Sequence, residues 1–227
     1  CYKNNKKNNR SRCSAIIIKG SNSVLIDTSP DVRKQLLLNK IKKISSVIFT
    51  HEHADQTNGL FELRPFYWMN KKKINIFGNL KTINHLKKRQ DYLFKKISDY
   101  PPIVKSNIIN SRFSLGSSNE KIHFKTITSK HGRTTSLIYI FEKTAYISDS
   151  NDLSIVNANE LQNLKFLIID CLKFKKHPSH FNLKESLFVH HRLKPKKTIL
   201  TNLHHDLDYN FLLKKLPPNV VPAYDGL

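Results

Sequence analysis

Hydrophobic and polar positions along this chain fall into short runs. Residues 14–19 and 24–27 are β-branched runs separated by Gly20-Ser21-Asn22-Ser23, which predicts a hairpin. Ser29-Pro30-Asp31 predicts a helix running to Leu38, with serine as N-cap and proline at the first helical position. Residues 44–50 (ISSVIFT) read as a buried strand that continues without a gap into HEHADQTNG. Short helices are predicted over 57–70, a strand over 74–77, and a helix with a basic face over 82–96. Tyr100-Pro101-Pro102 breaks the chain. Beyond it, strands are predicted over 103–109, 122–128, 136–142, 144–148 and 164–170. A helix over 183–193, a strand over 198–201, a helix over 211–216 and a strand over 220–222 complete the pattern. Strands come first, mixed with helices, and then alternate with them. No repeat or linker interrupts this order, so it predicts one α/β domain over residues 1–227, with two mixed sheets inside flanking helices.

Composition changes this picture little. The 227 residues are 39% hydrophobic and 10% aromatic, enough for a full core. No apolar run approaches the ~18 residues that cross a bilayer, so no membrane partner is expected. The chain starts at Cys1 and its only methionine is Met69, which implies a segment upstream; the polar, basic start (2–12) reads as a loop without an apolar signal core. Cys1, Cys13 and Cys171 are too few for a disulfide scaffold and point to a reducing, cytoplasmic setting. The net charge of +22 invites a nucleic-acid partner. Its lysines, however, are spread along the chain among Asn and Ile. All three residues have AT-rich codons, so nucleotide bias is the simpler account. Nucleic acid stays open as a partner without being favoured, and attraction for anionic substrates survives either way.

The candidate chemistry begins where the third apolar strand ends. In extended backbone, residues two apart point to one side, so the imidazoles of His51 and His53 converge just beyond the strand. Asp55 brings a carboxylate to the same pocket. Imidazole nitrogen and carboxylate oxygen are the donors a divalent ion of borderline softness accepts. A further imidazole and carboxylate must come from elsewhere. His131, at the turn Lys130-His131-Gly132, and Asp149, after the run 144–148, are strand-end candidates. With 11 histidines in the chain an incidental HxH pair is common, whereas HxHxD abutting a β-branched strand and followed by Asn58-Gly59 is much rarer. The plain alternative for Asp149 is an Asx-turn.

THEHADQTNGL (50–60) resembles the THxHxDHxxG signature of the metallo-β-lactamase superfamily. VLIDTSPDVRKQLL (24–37), ELRPF (62–66), KHG (130–132), AYISDS (145–150), HPSHFNLKESL (177–187), ILTNLHHDLDY (199–209) and PPNVVPAYDGL (217–227) match in order. The set is most similar to the PhnP-like phosphodiesterase subgroup, with ribonuclease Z more distant. The resemblance implies an αββα sandwich, its first strand upstream of Cys1, and one or two Zn²⁺ or Mn²⁺ ions. It assigns His51, His53 and His131 to a first ion, with Asp149 bridging to a second that Asp55 also holds. It makes His180 the proton donor. Two positions depart from the pattern: Gln56 and Asn202 stand where the family has histidine. An amide oxygen is a weak ligand, so the second ion is expected to be weak or absent unless His204 substitutes. The resemblance also allows a structural zinc on Cys1 and His205, though the remaining ligands would lie upstream.

The function this implies is metal-dependent hydrolysis of a small cyclic or nucleotide-like phosphodiester by an activated water. Asp55 would orient the water, His180 would protonate the leaving group, and Arg64, Lys130 and Arg133 would help hold phosphate. A homodimer is compatible with this reading. Two alternatives stand beside it. An RNA 3′-processing nuclease of the ribonuclease Z type usually carries an inserted arm, which is not seen here. A degenerate, non-catalytic relative with one ion or none would explain Gln56 and Asn202, but not the retention of the other six site residues.

Overall fold

The computed structural model describes residues 5–227. The chain forms two compact units, one of Arg12–His123 and one that joins the stretch ending at Ser11 to Phe124–Leu227. The second unit is discontinuous in sequence, so its boundary leaves no linker to read.

The first unit holds a sheet in the order β1-β2-β3-β4-β5: Ala15–Lys19, Asn22–Ile26, Ser46–Ile48, Ile74–Gly78 and Val104–Ile108. β1 and β2 form the expected antiparallel hairpin, while β3, β4 and β5 run parallel to β2. Parallel neighbours need crossovers, which helices supply. α1 (Val32–Leu38) buries Val32 and Leu36, four residues apart on one face, and α4 (Leu80–Arg89) buries Thr82, Ile83 and Leu86. Alternate strand residues Val47, Phe49, Ile74, Ile76 and Val104 meet these helices in one apolar core. α2 (Ala54–Thr57) and α3 (Arg64–Asn70) follow β3.

Three local expectations are corrected here. The helix expected from Ser29 begins at Val32, because Ser29 instead makes a turn: its Oγ accepts the Asp31 N–H and its carbonyl accepts the Val32 N–H. The helix expected over 82–96 ends at Arg89. Gln90 leaves helical backbone at φ −133°, and a 3₁₀ turn over Asp91–Leu93 buries Leu93 in the core. β6 (Arg112–Leu115) was not expected; of its four residues only Leu115 is buried, so the segment shows no apolar alternation.

β6 sits at the end of the second sheet's order, beside the start of β7 (Ile122–His131), within which the chain enters the second unit. That unit continues with β8 (Thr134–Phe141), β9 (Thr144–Ile147), β10 (Phe166–Asp170), β11 (Lys197–Thr201) and β12 (Val220–Pro222). The order is β12-β11-β10-β9-β8-β7, with β9 to β12 mutually parallel. α5 (Leu183–Leu193) and α6 (Tyr209–Lys215) make the crossovers around β11. α5 starts at a full capping box between Asn182 and Glu185. Ala145, Ile147, Leu167, Ile169, Leu200, Val189 and Leu212 form this unit's core. The N-terminal stretch is tied down by Asn8 Nδ2 to Asp208 (2.7 Å) and Arg10 to the Leu207 carbonyl (2.9 Å).

Cys171 is fully buried, and burial pushes its thiol up to about 12. Thiolate is the reactive form, so Cys171 is expected to resist a thiol reagent in the native protein and to react at the rate of unfolding, whereas half-buried Cys13 reacts first. Mass mapping of alkylated peptides over time checks this order. Among the described residues no helix is long and apolar enough to cross a membrane.

Candidate metal centre

In the first unit the site grows from the carboxyl end of β3, the central strand. Backbone polarity forces Phe49 to keep pairing, its N–H donating to the Phe77 carbonyl. Asp27, fully buried just after β2 at φ +61°, then receives both the Thr50 N–H and the Thr50 hydroxyl at 2.8 Å each. Having given its proton to a carboxylate, the Thr50 oxygen can only accept, and it lies 3.0 Å from His51 Nδ1. His51 Nδ1 therefore carries the hydrogen, which leaves a lone pair on Nε2. His53 caps α2 in extended backbone, its ring 4.5 Å from that of His51 in an edge-on arrangement. Asp55 lies exposed in the first turn of α2, and buried Gln56 donates its Nε2 hydrogen to Asp55 Oδ2 at 3.1 Å.

Gly59 closes this loop, donating its N–H to the Thr28 carbonyl. A Cβ there would overlap the Ser29 carbonyl oxygen and press on Val32. Gly59→Ala is expected to cost about 3 kcal/mol, the upper end for overpacking. For a chain of this size that lowers the thermal midpoint by about 2–4 °C per kcal/mol, measurable by circular dichroism.

In the second unit the carboxyl ends of neighbouring strands carry the chemistry, as is usual for parallel sheets. Asp149 follows β9, Asp170 ends β10, and Asn202 follows β11. His131 ends β7, is 3% exposed, and donates Nδ1–H to the Ser179 carbonyl at 2.7 Å, again leaving Nε2 with its lone pair. Nε2 lies 4.0 Å from Asp149 Oδ1. His180 Nδ1 is 2.8 Å from Asp170 Oδ2 and 3.5 Å from Asp149 Oδ1, and its ring stands 4.8 Å from that of His131. Burial raises the Asp170 carboxyl to about 6, against the lowering by His180 and the Ser150 N–H. Its Oδ1 has no hydrogen-bond partner among the described residues. Asn202, at φ +58°, donates Nδ2–H to the Ser148 carbonyl at 2.6 Å. Asn151 braces the loops, accepting the Gly132 N–H and donating to the Pro178 carbonyl.

The remaining expected residues fall as follows. Lys130 and Arg133 are exposed at the β7–β8 turn beside His131. Arg64 opens α3 among aromatic rings. His204 is exposed, 3.2 Å from Asp206, with its ring against that of His205. Cys1 lies outside the described residues. Asp27, Thr50 and Asp170 were not singled out from the sequence, although a lone carboxylate at the end of an apolar strand is the same signal that marked Asp149.

The donor set fits a divalent cation. Two buried imidazoles have Nδ1 committed to oxygen partners and Nε2 left to ligate, and His131, Asp149 and His180 bring ligand atoms within 4.8 Å of one another.

Residues 22–204 match the Beta-lactamase superfamily domain. An octanoyltransferase of Porphyromonas gingivalis (strain ATCC BAA-308 / W83) is 27% identical over 230 residues, spanning all of this chain but 46% of that protein, so the chain covers under half of this curated relative's length. A diphosphatase from the PhnP family is 31% identical, with TM-score 0.84 over 96% of this chain and 82% of the other. Human tRNase Z, short form, shares the fold at 14% identity and TM-score 0.70, over 95% of this chain and 91% of the other. Strand ends bearing imidazole and carboxylate, and similarity along nearly the whole chain, agree: this chain belongs to the beta-lactamase superfamily, as a PhnP-like hydrolase of the metallo-β-lactamase αββα fold.

Proposed function

We propose that the chain hydrolyses a small cyclic or nucleotide-like phosphodiester, with His51, His53, His131 and Asp149 holding one divalent ion, Zn²⁺ or Mn²⁺. The observation that carries this reading is the His180–Asp170 pair beside Asp149: a buried carboxylate aimed at one ring nitrogen is how proteins hold an imidazole as a proton donor through the other. The cation supplies a water of lowered pKa and offsets charge on the phosphoryl oxygens. Asp55 would orient the attacking water through a carboxylate oxygen, while Gln56 donates its Nε2 hydrogen to Oδ2. His180 gives the Nε2 proton to the leaving alkoxide, and Asp170 stabilises its charged form. Lys130 and Arg133, exposed beside His131, attract the phosphate. Similarity to a PhnP-family diphosphatase supports phosphoryl chemistry.

The second-ion positions support a mononuclear centre. Both amides act as donors, Gln56 to Asp55 and Asn202 to the Ser148 carbonyl. An amide can ligate a cation only through its carbonyl oxygen, a neutral and weaker donor than imidazole. Metal analysis of the purified chain is expected to give about one tightly held ion per chain, and Gln56→His with Asn202→His to raise that content and the rate of nitrophenyl phosphodiester hydrolysis. No ion and no turnover with added Mn²⁺ would establish the non-catalytic alternative instead.

A further inference from the structure

The segment after Gly59 leaves large side chains in the open: Phe61 is 38% exposed, Trp68 41% and Met69 68%. Phe61 and Trp68 lie beside Arg64, whose guanidinium carbon is 6.0 Å from the Phe61 ring centre, 5.9 Å from Trp68 and 4.6 Å from Tyr100. Lys71 Nζ is 4.7 Å from the Trp68 ring. Rings of this kind hold a guanidinium by cation–π attraction without neutralising it. The aromatic patch thus carries fixed positive charge at its centre and rim.

The surrounding charge decides what such a patch can bind. Residues 61–100 contain ten Lys and Arg against three Asp and Glu. A second copy of this chain would bring its own net charge of +22 to the contact, and like charge across an interface opposes association. The fitting partner is anionic along its length and presents flat apolar faces. A duplex offers phosphates but keeps its base faces stacked inside. A single strand offers both, and its recognition combines base stacking on aromatic side chains with cationic contacts to phosphate.

We propose that this surface binds a single-stranded polynucleotide, with bases stacking on Phe61 and Trp68 and phosphates meeting Arg64 and Lys71. This goes beyond the hydrolytic reading and does not depend on it, since the patch lies within one unit and uses no metal ligand. It gives part of the lysine excess a use that composition alone did not reveal.

Trp68 is the only tryptophan, so its emission reports the contact directly. The full chain is titrated with oligouridylate and oligothymidylate of about 12 nucleotides, within the usual site size. Saturable quenching that weakens with added salt is expected. Labelled-oligomer anisotropy is expected to show about tenfold weaker binding for Trp68→Leu and for Phe61→Leu, and near-native binding for Trp68→Phe, which keeps a ring. Thermal melts show whether each variant is folded, and unchanged nitrophenyl phosphodiester hydrolysis by Trp68→Leu separates this surface from the metal centre. Three results overturn the proposal. One is equal binding by wild type and both leucine variants, the mark of charge attraction alone. Another is inorganic polyphosphate matching the oligomers. The third is a tryptophan shift that follows protein concentration without any oligomer, which would assign the patch to a second copy.

Discussion

The His131→Ala protein is expected to come off a desalting column without its ion and without measurable hydrolysis. His131 is 3% exposed, and its Nδ1 is fixed on the Ser179 carbonyl. Its Nε2 lies 4.0 Å from Asp149 Oδ1, so removing it deletes a donor and leaves the carboxylate with His180 as its remaining imidazole neighbour. Loss of a partner that merely orients a ligand weakens metal binding about 10–100-fold, and loss of the ligand itself exceeds that. The unsatisfied Ser179 carbonyl adds about 1–3 kcal/mol of destabilisation, which circular dichroism will register. His131→Gln, closer in size, serves as the second variant. Metal content by mass spectrometry and turnover of a nitrophenyl phosphodiester are the readouts. A full complement of ion with native turnover in both variants would remove His131 from the centre.

The second large effect is expected at His180. Replacing it with glutamine should lower kcat about 10²–10⁴-fold, the range for a lost general acid, while metal content stays native. The loss should be smaller for a nitrophenyl leaving group than for an alkyl one, because a good leaving group needs less protonation. Asp170→Asn should give a weaker form of the same defect, since the amide can still meet Nδ1 but carries no charge to stabilise the imidazolium. If His180→Gln instead strips the ion, the imidazole belongs with His131 and Asp149 as a ligand, in keeping with the closeness of their donor atoms.

The sequence made the central strand and its HxHxD legible because a single local stretch holds both the apolar run and the donors. Hairpin β1–β2 was legible from its own turn residues, and helix α5 and strand β12 from their local apolar pattern. What stayed hidden depended on distant partners. Asp27 matters because Thr50, just past the next strand, brings it an N–H and a hydroxyl, and Asp170 because His180 reaches it across a loop. Burial makes these carboxylates influential, and burial is a property of packing. The helix expected to reach Lys96 shows the opposite failure. Its apolar spacing continued through Leu93, but the core captured Leu93 from a 3₁₀ turn after Gln90 had left the helix.

His51 and His131 each have the outer ring nitrogen secured by protein oxygen, Thr50 in one unit and Ser179 in the other. Their orientation is set by the polypeptide rather than by an incoming cation, so little conformational entropy is spent when one arrives. Chelation should then yield an apoprotein with native circular dichroism, its melting point lowered only by the mass-action amount that ligand withdrawal predicts. Readdition should restore activity on mixing, without a refolding lag, which makes this chain suited to exchanging one divalent element for another in solution.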